Sequence, residues 1–231
     1  MILDEICEML STYSGRDKVM RTLCYGMKLA SGLTIDKDPA LSKKFQIFSS
    51  QMSKTRATLR LLDDIPMLQH TLQYGLGRTE PDSCLSFLGV VTNIIDQLYY
   101  PIEKVCWLAE YKLLNVENPN KWDNISSVFW VASIYLSLMK SLRSISLIHN
   151  HKMCLLEKGV RPSDIMDRLL QAQQLEYIAS IRGALDLIHS VSTLPEGWLW
   201  GGRLNSAQVG LVATISSFLG IYQYYLRKRS K

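Results

Sequence analysis

The longest uncharged stretch of this chain is the feature that most limits how it can fold. The 23 residues from Leu204 to Leu226 contain no charged side chain and lie between Arg203 and Arg227. At a helix rise of about 1.5 Å per residue, this length crosses the ~30 Å hydrocarbon core of a bilayer. We therefore predict a membrane-spanning helix at 204–226. The alternative is a helix buried in a protein core.

The residues on either side of this stretch are typical of a membrane boundary. Tryptophans precede it, tyrosines occupy its end and basic residues close it, as expected of side chains at the interface between lipid and water. We predict that the flanks of this membrane anchor are Trp198, Trp200, Arg203, Arg227, Lys228 and Arg229.

A second, shorter apolar stretch is a weaker candidate for a span. Residues 125–139 carry no charge, but reaching span length means continuing to about residue 148 and including Lys140 and Arg143. Charged side chains inside a span are costly unless they pair or reach the interface. We predict a first span at 125–148. An amphipathic helix lying in the membrane interface is the alternative.

Apolar residues elsewhere recur mostly every three or four positions, which predicts an all-α chain. Ser14 is the expected N-cap of the second helix. We expect helices near 3–12, 15–31, 41–76 with a kink at Pro66, 83–114 with a break near Pro101, 122–157, 162–192 and 205–227.

Charge is distributed unevenly along these helices. The chain has a net charge of +5, but residues 1–124 hold 14 basic and 15 acidic side chains, so the excess lies beside the apolar stretches. Basic residues next to apolar runs are typical of a membrane boundary rather than of a nucleic-acid surface. The predicted organisation is an amphipathic-helix region (1–124), a first span (125–148), a helical inter-span region (149–203), a second span (204–226) and a basic tail (227–231).

Residues 41–62 form a basic amphipathic helix. Its apolar positions fall within an arc of about 100°. The predicted stripe is Leu41, Phe45, Phe48, Met52, Leu59 and Leu62, and the basic residues opposite or beside it are Lys43, Lys44, Lys54, Arg56 and Arg60. Such a helix can lie in an anionic lipid surface, with the stripe among the acyl chains and the basic residues at the headgroups. Periodicity alone favours the other interpretation, a helix half-buried against its neighbours.

No group of residues has the spacing of a catalytic or metal site. His149 and His151 are two positions apart and do not share one face of a helix, and neither do the adjacent Asp63 and Asp64. Motifs of metalloproteases, of α/β-hydrolases and of phosphate-binding loops are absent from the sequence. We expect no catalytic residues, no cofactor and no bound metal.

Four segments carry a resemblance to a known family. They are YSGRDKVMRTLCYGMKLASG (13–32), MSKTRATLRLLDD (52–64), DQLYYPIEKVCWLAE (96–110) and LPEGWLWGGRLNSAQVGLVATISSFLGIYQYY (194–225). Together and in this order they resemble the peroxin-11 family of peroxisomal membrane proteins, and most of all its gamma-type members. The resemblance is weakest over 112–165, which includes the first candidate span.

The resemblance implies a multi-pass protein of the peroxisomal membrane with both termini and the region 1–124 in the cytosol. It also implies that residues 41–62 insert into the bilayer and that the protein promotes peroxisome elongation, proliferation and fission. The implied partners are the peroxisomal phospholipid membrane, further copies of this chain, other family members, and fission adaptors with a dynamin-related GTPase. No nucleic-acid partner is expected. The alternative function is an oligomeric channel for small metabolites in the same membrane.

Overall fold

The computed structural model describes residues 2–157 and 163–229, and this part of the chain contains helices, turns and loops but no β-strand. The prediction of an all-α fold is confirmed, with 84% of the described residues helical. The helices are α1 (Ile2–Ser11), α2 (Tyr13–Thr34), α3 (Pro39–Leu59), α4 (Asp64–Tyr74), α5 (Ser83–Glu110), α6 (Pro119–Glu157), α7 (Ser163–Val191) and α8 (Ser206–Arg229).

Two helices replace the single kinked helix predicted over 41–76. α3 ends at Leu59, a short 3-10 turn covers Arg60–Leu62, and α4 begins at Asp64. Pro66 therefore lies in the first turn of a new helix. Proline loses no hydrogen bond there, because the first amides of a helix have no partner within it. The break comes a few residues before the proline rather than at it.

Two other local predictions are wrong. α5 runs without interruption through Pro101, where a break was expected. The N-cap of α2 is Thr12 and not Ser14, since the Thr12 hydroxyl accepts a hydrogen bond from the backbone amide of Gly15 at 3.1 Å. Threonine and serine both suit this position, so the sequence offers two neighbouring candidates for one cap.

The helices pack side by side in the order α3, α2, α8, α7, α6, α5 and α4. Side chains also connect the C-terminal end of α3 with α5. The indole of Trp107 donates a hydrogen bond to the hydroxyl of Thr58 at 3.2 Å, and Arg60 pairs with Glu103. The row of helices is therefore curled around an interior space.

α2 and α8 approach each other more closely than ordinary side chains allow. A Cβ atom added to Gly32 would lie 2.5 Å from the backbone nitrogen of Ala207, and one added to Gly210 would lie 2.5 Å from that of Leu29. Because residue 32 meets residue 207 while residue 29 meets residue 210, the two helices run antiparallel. Close glycine-mediated contact of this kind is characteristic of packed membrane helices.

Polarity in this bundle is opposite to that of a soluble protein. Among the described residues, eleven buried side chains are polar or charged and eight are hydrophobic. Large apolar side chains lie at the surface instead, including Leu72, Phe87, Ile181 and Phe218. Soluble proteins expose apolar atoms too, but their fully buried positions are mostly apolar. An interior of hydroxyl and amide groups inside an apolar exterior suits a lipid environment, where polar groups must find partners within the protein.

Candidate membrane interface and polar interior

α6 and α8 are the two helices of the described chain that are long and apolar enough to cross a bilayer. They coincide with the spans predicted at 125–148 and 204–226. In α8, 39% of the most apolar stretch is buried inside the bundle, whereas none of the corresponding stretch of α6 is buried. Both helices have neighbours on two sides, but α6 presents more of its apolar surface outward.

The two charges that made the first span a weak candidate are both paired. Lys140 donates a hydrogen bond to Glu80 at 2.9 Å, and Arg143 binds both carboxylate oxygens of Asp82 at 2.9 and 3.0 Å. Both acids lie in the loop before α5. The hydrogen bonds from Lys140 and Arg143 hold the pKa values of Glu80 and Asp82 below their usual range, so both carboxylates are ionised at neutral pH. Pairing lowers the cost of keeping these cations next to a span.

The predicted anchor flanks lie at the two ends of α8. Trp198 and Arg203 are exposed before the helix, and the indole of Trp200 donates a hydrogen bond to the carbonyl oxygen of Ile188 at 3.0 Å. Arg227 is exposed at the far end, and Lys228 pairs with Glu8 of α1. Residues 230 and 231 of the predicted tail lie outside the described residues.

α3 displays part of the predicted apolar stripe on its outer surface. Leu41, Phe48 and Leu59 are exposed on α3, and Leu62, in the 3-10 turn that follows, is 72% exposed. Phe45 and Met52, on the edge of the stripe nearer α2, are half-buried.

The opposite polarity is found on the side of α3 that packs on α2. Ser42 and Ser49 are buried there, and the hydroxyl groups of Ser31 and Ser42 lie 3.0 Å apart. The helix thus turns small polar residues inward and large apolar residues outward. Ile47 is also exposed but was not part of the predicted stripe, because it lies outside the arc of the other apolar positions.

The five basic residues predicted to contact lipid headgroups separate into two groups. Lys43 and Lys44 are exposed. Three others have carboxylate partners within the protein: Lys54 pairs with Glu110 at 2.9 Å, Arg56 with Asp17 at 2.8 Å, and Arg60 with Glu103. Headgroup contact by all five remains a prediction, and Lys43 and Lys44 are the two that form no ion pair with a described residue.

The curled row of helices encloses a cavity of about 730 Å³, to which α2, α3, α5, α6 and α7 contribute side chains. Its lining combines basic residues, Asp96, a series of serines, and the rings of tyrosines, Trp130 and His189. The imidazole of His189 meets the rings of Tyr25 and Trp130 edge-on, with centroids 4.9 and 5.4 Å away. Both aromatic neighbours are distant from His189 in the chain, so no local motif marks this histidine.

A part-buried ion pair joins α2, α7 and α8 beside this cavity. Arg21 pairs with Asp186 and donates a second hydrogen bond to the hydroxyl of Ser216 at 3.3 Å, while Ser216 donates to the same carboxylate. Ser216 lies near the middle of the second predicted span. Near it, Arg182 donates to the side chain of the buried Gln223 at 2.7 Å. Ser216 and Gln223 of α8 therefore both have partners on neighbouring helices.

Comparison with known proteins establishes the family. The model of the peroxisomal biogenesis factor 11 (PEX11) family matches residues 3–225, and the chain belongs to this family. It is 35% identical to human peroxisomal membrane protein 11C over 232 residues, covering 96% of this chain and 93% of that protein. It is 32% identical to the mouse protein of the same name over 229 residues, covering 96% and 94%. No solved structure matches the chain.

Membership of the family confirms the resemblance and the coarser part of the predicted function. The chain is a peroxisomal membrane protein involved in peroxisome biogenesis, and its family is described as a biogenesis factor rather than as an enzyme. The match also includes residues 112–165, where the resemblance was weakest. The number and orientation of membrane crossings, the partners and the membrane-shaping mechanism remain predictions.

Proposed function

We propose that this protein shapes the peroxisomal membrane, and that it promotes elongation, proliferation and fission by inserting α3 into one leaflet. The single observation that carries this proposal is the outward stripe of α3 and of the turn that follows it, where Leu41, Phe48, Leu59 and Leu62 are exposed and the side of α3 facing α2 is polar. An exposed apolar stripe with neighbouring lysines matches the form of helices that lie in a lipid surface.

The position of α3 supports the same proposal. This helix is at the end of the packed row, with α2 along one side and contacts to α5 only near its C-terminal end. Its outer side is therefore not covered by another helix of the described chain. Side chains that enter one leaflet expand that leaflet relative to the other, and the resulting curvature favours tubules.

A direct test uses the full-length protein reconstituted into phosphatidylcholine vesicles that contain phosphatidylserine. The wild-type protein is expected to convert these vesicles into tubules visible by electron microscopy. Phe48→Asp with Leu59→Asp is expected to abolish tubules. Each carboxylate placed among the acyl chains lowers the free energy of insertion gained by α3 by an amount on the order of several kcal/mol. The matched control, Phe48→Leu with Leu59→Met, keeps the stripe apolar and should tubulate as the wild type does.

The exposed lysines provide a second arm of this test. Lys43→Gln with Lys44→Gln removes attraction of about 1 kcal/mol per basic residue near an anionic surface. Fewer tubules are expected on anionic vesicles, and little change on neutral ones. The proposal fails if the Asp variant is folded by circular dichroism, remains embedded in membranes and still tubulates vesicles.

Recruitment of partners is part of the proposal and rests on the family resemblance. We propose that the protein associates with further copies of itself and with fission adaptors that bring a dynamin-related GTPase to the membrane. Crosslinking in native peroxisomal membranes should then yield oligomers. Recovery of monomer alone, at expression levels that change peroxisome shape, would argue against self-association.

The proposed topology places two spans, α6 and α8, in the peroxisomal membrane with both termini cytosolic. Protease protection on intact peroxisomes, with a tag at either end, tests this arrangement. Both tags should be cleaved without detergent. Protection of one tag would indicate an odd number of crossings.

The polar cavity supports a second candidate function, a channel for small metabolites. Its lining includes Asp96 on α5, Ser133 on α6 and His189 on α7, so polar groups from several helices surround one space. Solute efflux from vesicles containing the purified protein would distinguish a channel from a membrane-shaping protein. Tubulation without efflux would favour the membrane-shaping function alone.

A further inference from the structure

We propose that the cavity of about 730 Å³ is a binding site for a small anion that carries a phosphate group. The volume falls in the usual range of small-molecule pockets. Its lining contains four basic residues, Arg21, Lys28, Arg56 and Arg60. Asp96 is the one carboxylate among the lining residues that the structure describes. This proposal does not depend on whether α3 bends membranes.

Two arginines of the lining have hydrogen-bonding capacity that the protein leaves unused. One terminal nitrogen of Arg21 binds Asp186, and one terminal nitrogen of Arg60 binds Glu103. Neither of these carboxylates belongs to the cavity lining. The Nε atoms of both arginines are buried and have no hydrogen-bond partner within the described chain. An unpaired buried donor is costly, so a pair of them beside one cavity indicates a missing acceptor.

Lys28 supplies a positive charge that is not neutralised by a nearby carboxylate in the described part of the chain. It lines the cavity and is half-buried, and no ion pair connects it with an acid. Arg56 is the contrasting case, because two of its nitrogens bind Asp17 at 2.8 and 3.3 Å. Lys28 is therefore the residue whose charge is most available to a ligand.

The nature of these donors favours phosphate over a neutral ligand. Guanidinium and ammonium groups form their strongest hydrogen bonds with phosphate and carboxylate oxygens. Here the donors come from α2 and from the turn after α3, and a phosphate group has enough acceptor oxygens to meet donors from several directions. The hydroxyl groups of Ser50 and Ser53, also in the lining, can donate to the remaining oxygens.

Such a phosphate group has two possible sources, a soluble phosphate compound or the headgroup of a lipid. We therefore choose two probes, inorganic pyrophosphate and dihexanoyl phosphatidic acid, and measure binding by calorimetry to the full-length protein in phosphatidylcholine nanodiscs. Saturable binding of pyrophosphate supports the site with a soluble ligand. Binding of phosphatidic acid alone supports the site with a lipid headgroup.

Three substitutions distinguish this site from nonspecific charge attraction. Lys28→Gln should weaken binding about tenfold, the loss expected from one charge-assisted hydrogen bond. Asp96→Asn should tighten binding, because it removes the carboxylate of the lining. Lys43→Gln, on the outer surface of α3, removes the same charge as Lys28→Gln and should leave affinity unchanged.

The opposite directions expected for Lys28→Gln and Asp96→Asn keep the test informative when one variant folds poorly. If Lys28 and Asp96 had only structural roles, each substitution would lower thermal stability, and Asp96→Asn would not tighten ligand binding. The proposal is overturned if neither probe binds. It is also overturned if Lys43→Gln and Lys28→Gln weaken binding equally, or if Asp96→Asn, with its fold intact, does not bind more tightly than the wild type.

Discussion

α3 and α8 both pack along α2, but the two contacts differ in kind. α8 meets α2 through glycine, with backbone atoms in contact at Gly32 and Gly210. α3 meets α2 through small polar groups, such as the hydroxyl pair of Ser31 and Ser42 at 3.0 Å. α8 is also covered on its other side by α7, whereas α3 has no helix packed along its outer side within the described chain.

Both helices are rich in apolar residues in the sequence, but the difference in packing suits them to two different roles. α8 is held on two sides by close packing and by the part-buried Arg21–Asp186 pair, which suits a permanent membrane anchor. α3 is held on one side and exposes Phe48 and Leu59, which suits a helix that contacts lipid. The following predictions alter one side of this comparison at a time, beginning with the largest effect.

The part-buried ion pair beside α8 should be the contact most sensitive to substitution. Arg21→Met leaves the largely shielded carboxylate of Asp186 without its cation, and this should lower the free energy of unfolding by about 3 kcal/mol, the low end of the range for a buried pair, because both side chains keep some exposure. Arg21→Met with Asp186→Leu removes both charges and should recover most of that loss. Thermal unfolding of the solubilised protein measures both. A single Arg21→Met variant as stable as the wild type would show that this pair does not hold α8.

The glycine contacts should come next in size. Gly32→Ala and Gly210→Ala place a methyl group against backbone atoms 2.5 Å away, and we expect each to cost about 1–3 kcal/mol as the helices move apart. Gly26→Ala is the matched control on α2, because a Cβ there has no neighbour within 4 Å. It should be neutral or stabilising by up to about 1 kcal/mol, since alanine is the better helix former.

Equal melting temperatures for Gly26→Ala, Gly32→Ala and Gly210→Ala would contradict the close packing of α2 on α8. A lowered melting temperature for Gly26→Ala alone, with Gly32→Ala and Gly210→Ala unchanged, would contradict that packing as well.

The exposed ion pair of α3 should give the smallest effect. Lys54 and Glu110 connect α3 with α5, and their side chains are 46% and 50% exposed. Lys54→Gln should therefore change the free energy of unfolding by less than about 1 kcal/mol, and less still in high salt. The same thermal measurement with and without added salt tests this. A loss comparable to that of Arg21→Met would mean that α3 is held as firmly as α8.

Much of the fold was predictable, because apolar residues three and four positions apart report directly on helices. The predicted helix at 162–192 and the observed α7 at Ser163–Val191 illustrate this agreement within the described residues. The uninterrupted helix through Pro101 was not predictable, because tertiary packing outweighs the local cost of a proline.

The functional surface was predictable only in part. Helical spacing placed Phe48 and Leu59 on one face, but it could not show that Arg56 and Arg60 turn towards Asp17 and Glu103, residues that lie far away in the chain. The cavity was missed for the same reason. Its lining is contributed by helices from Arg21 in α2 to His189 in α7, and no local motif marks a space that exists only after the helices pack.

The most direct test of the account is the environment of two adjacent residues of α3. Phe48 is exposed on the apolar side, and Ser49 is buried against α2. Spin labels are placed at Phe48→Cys and Ser49→Cys in a background whose five native cysteines are replaced by serine, in nanodiscs that contain phosphatidylserine. Collision with oxygen, which concentrates in lipid, is compared with collision with a water-soluble nickel chelate. The label at position 48 should collide with oxygen and not with the chelate, and the label at position 49 should be shielded from both. Strong collision of the label at position 48 with the chelate would place α3 in water and contradict the membrane-inserting role.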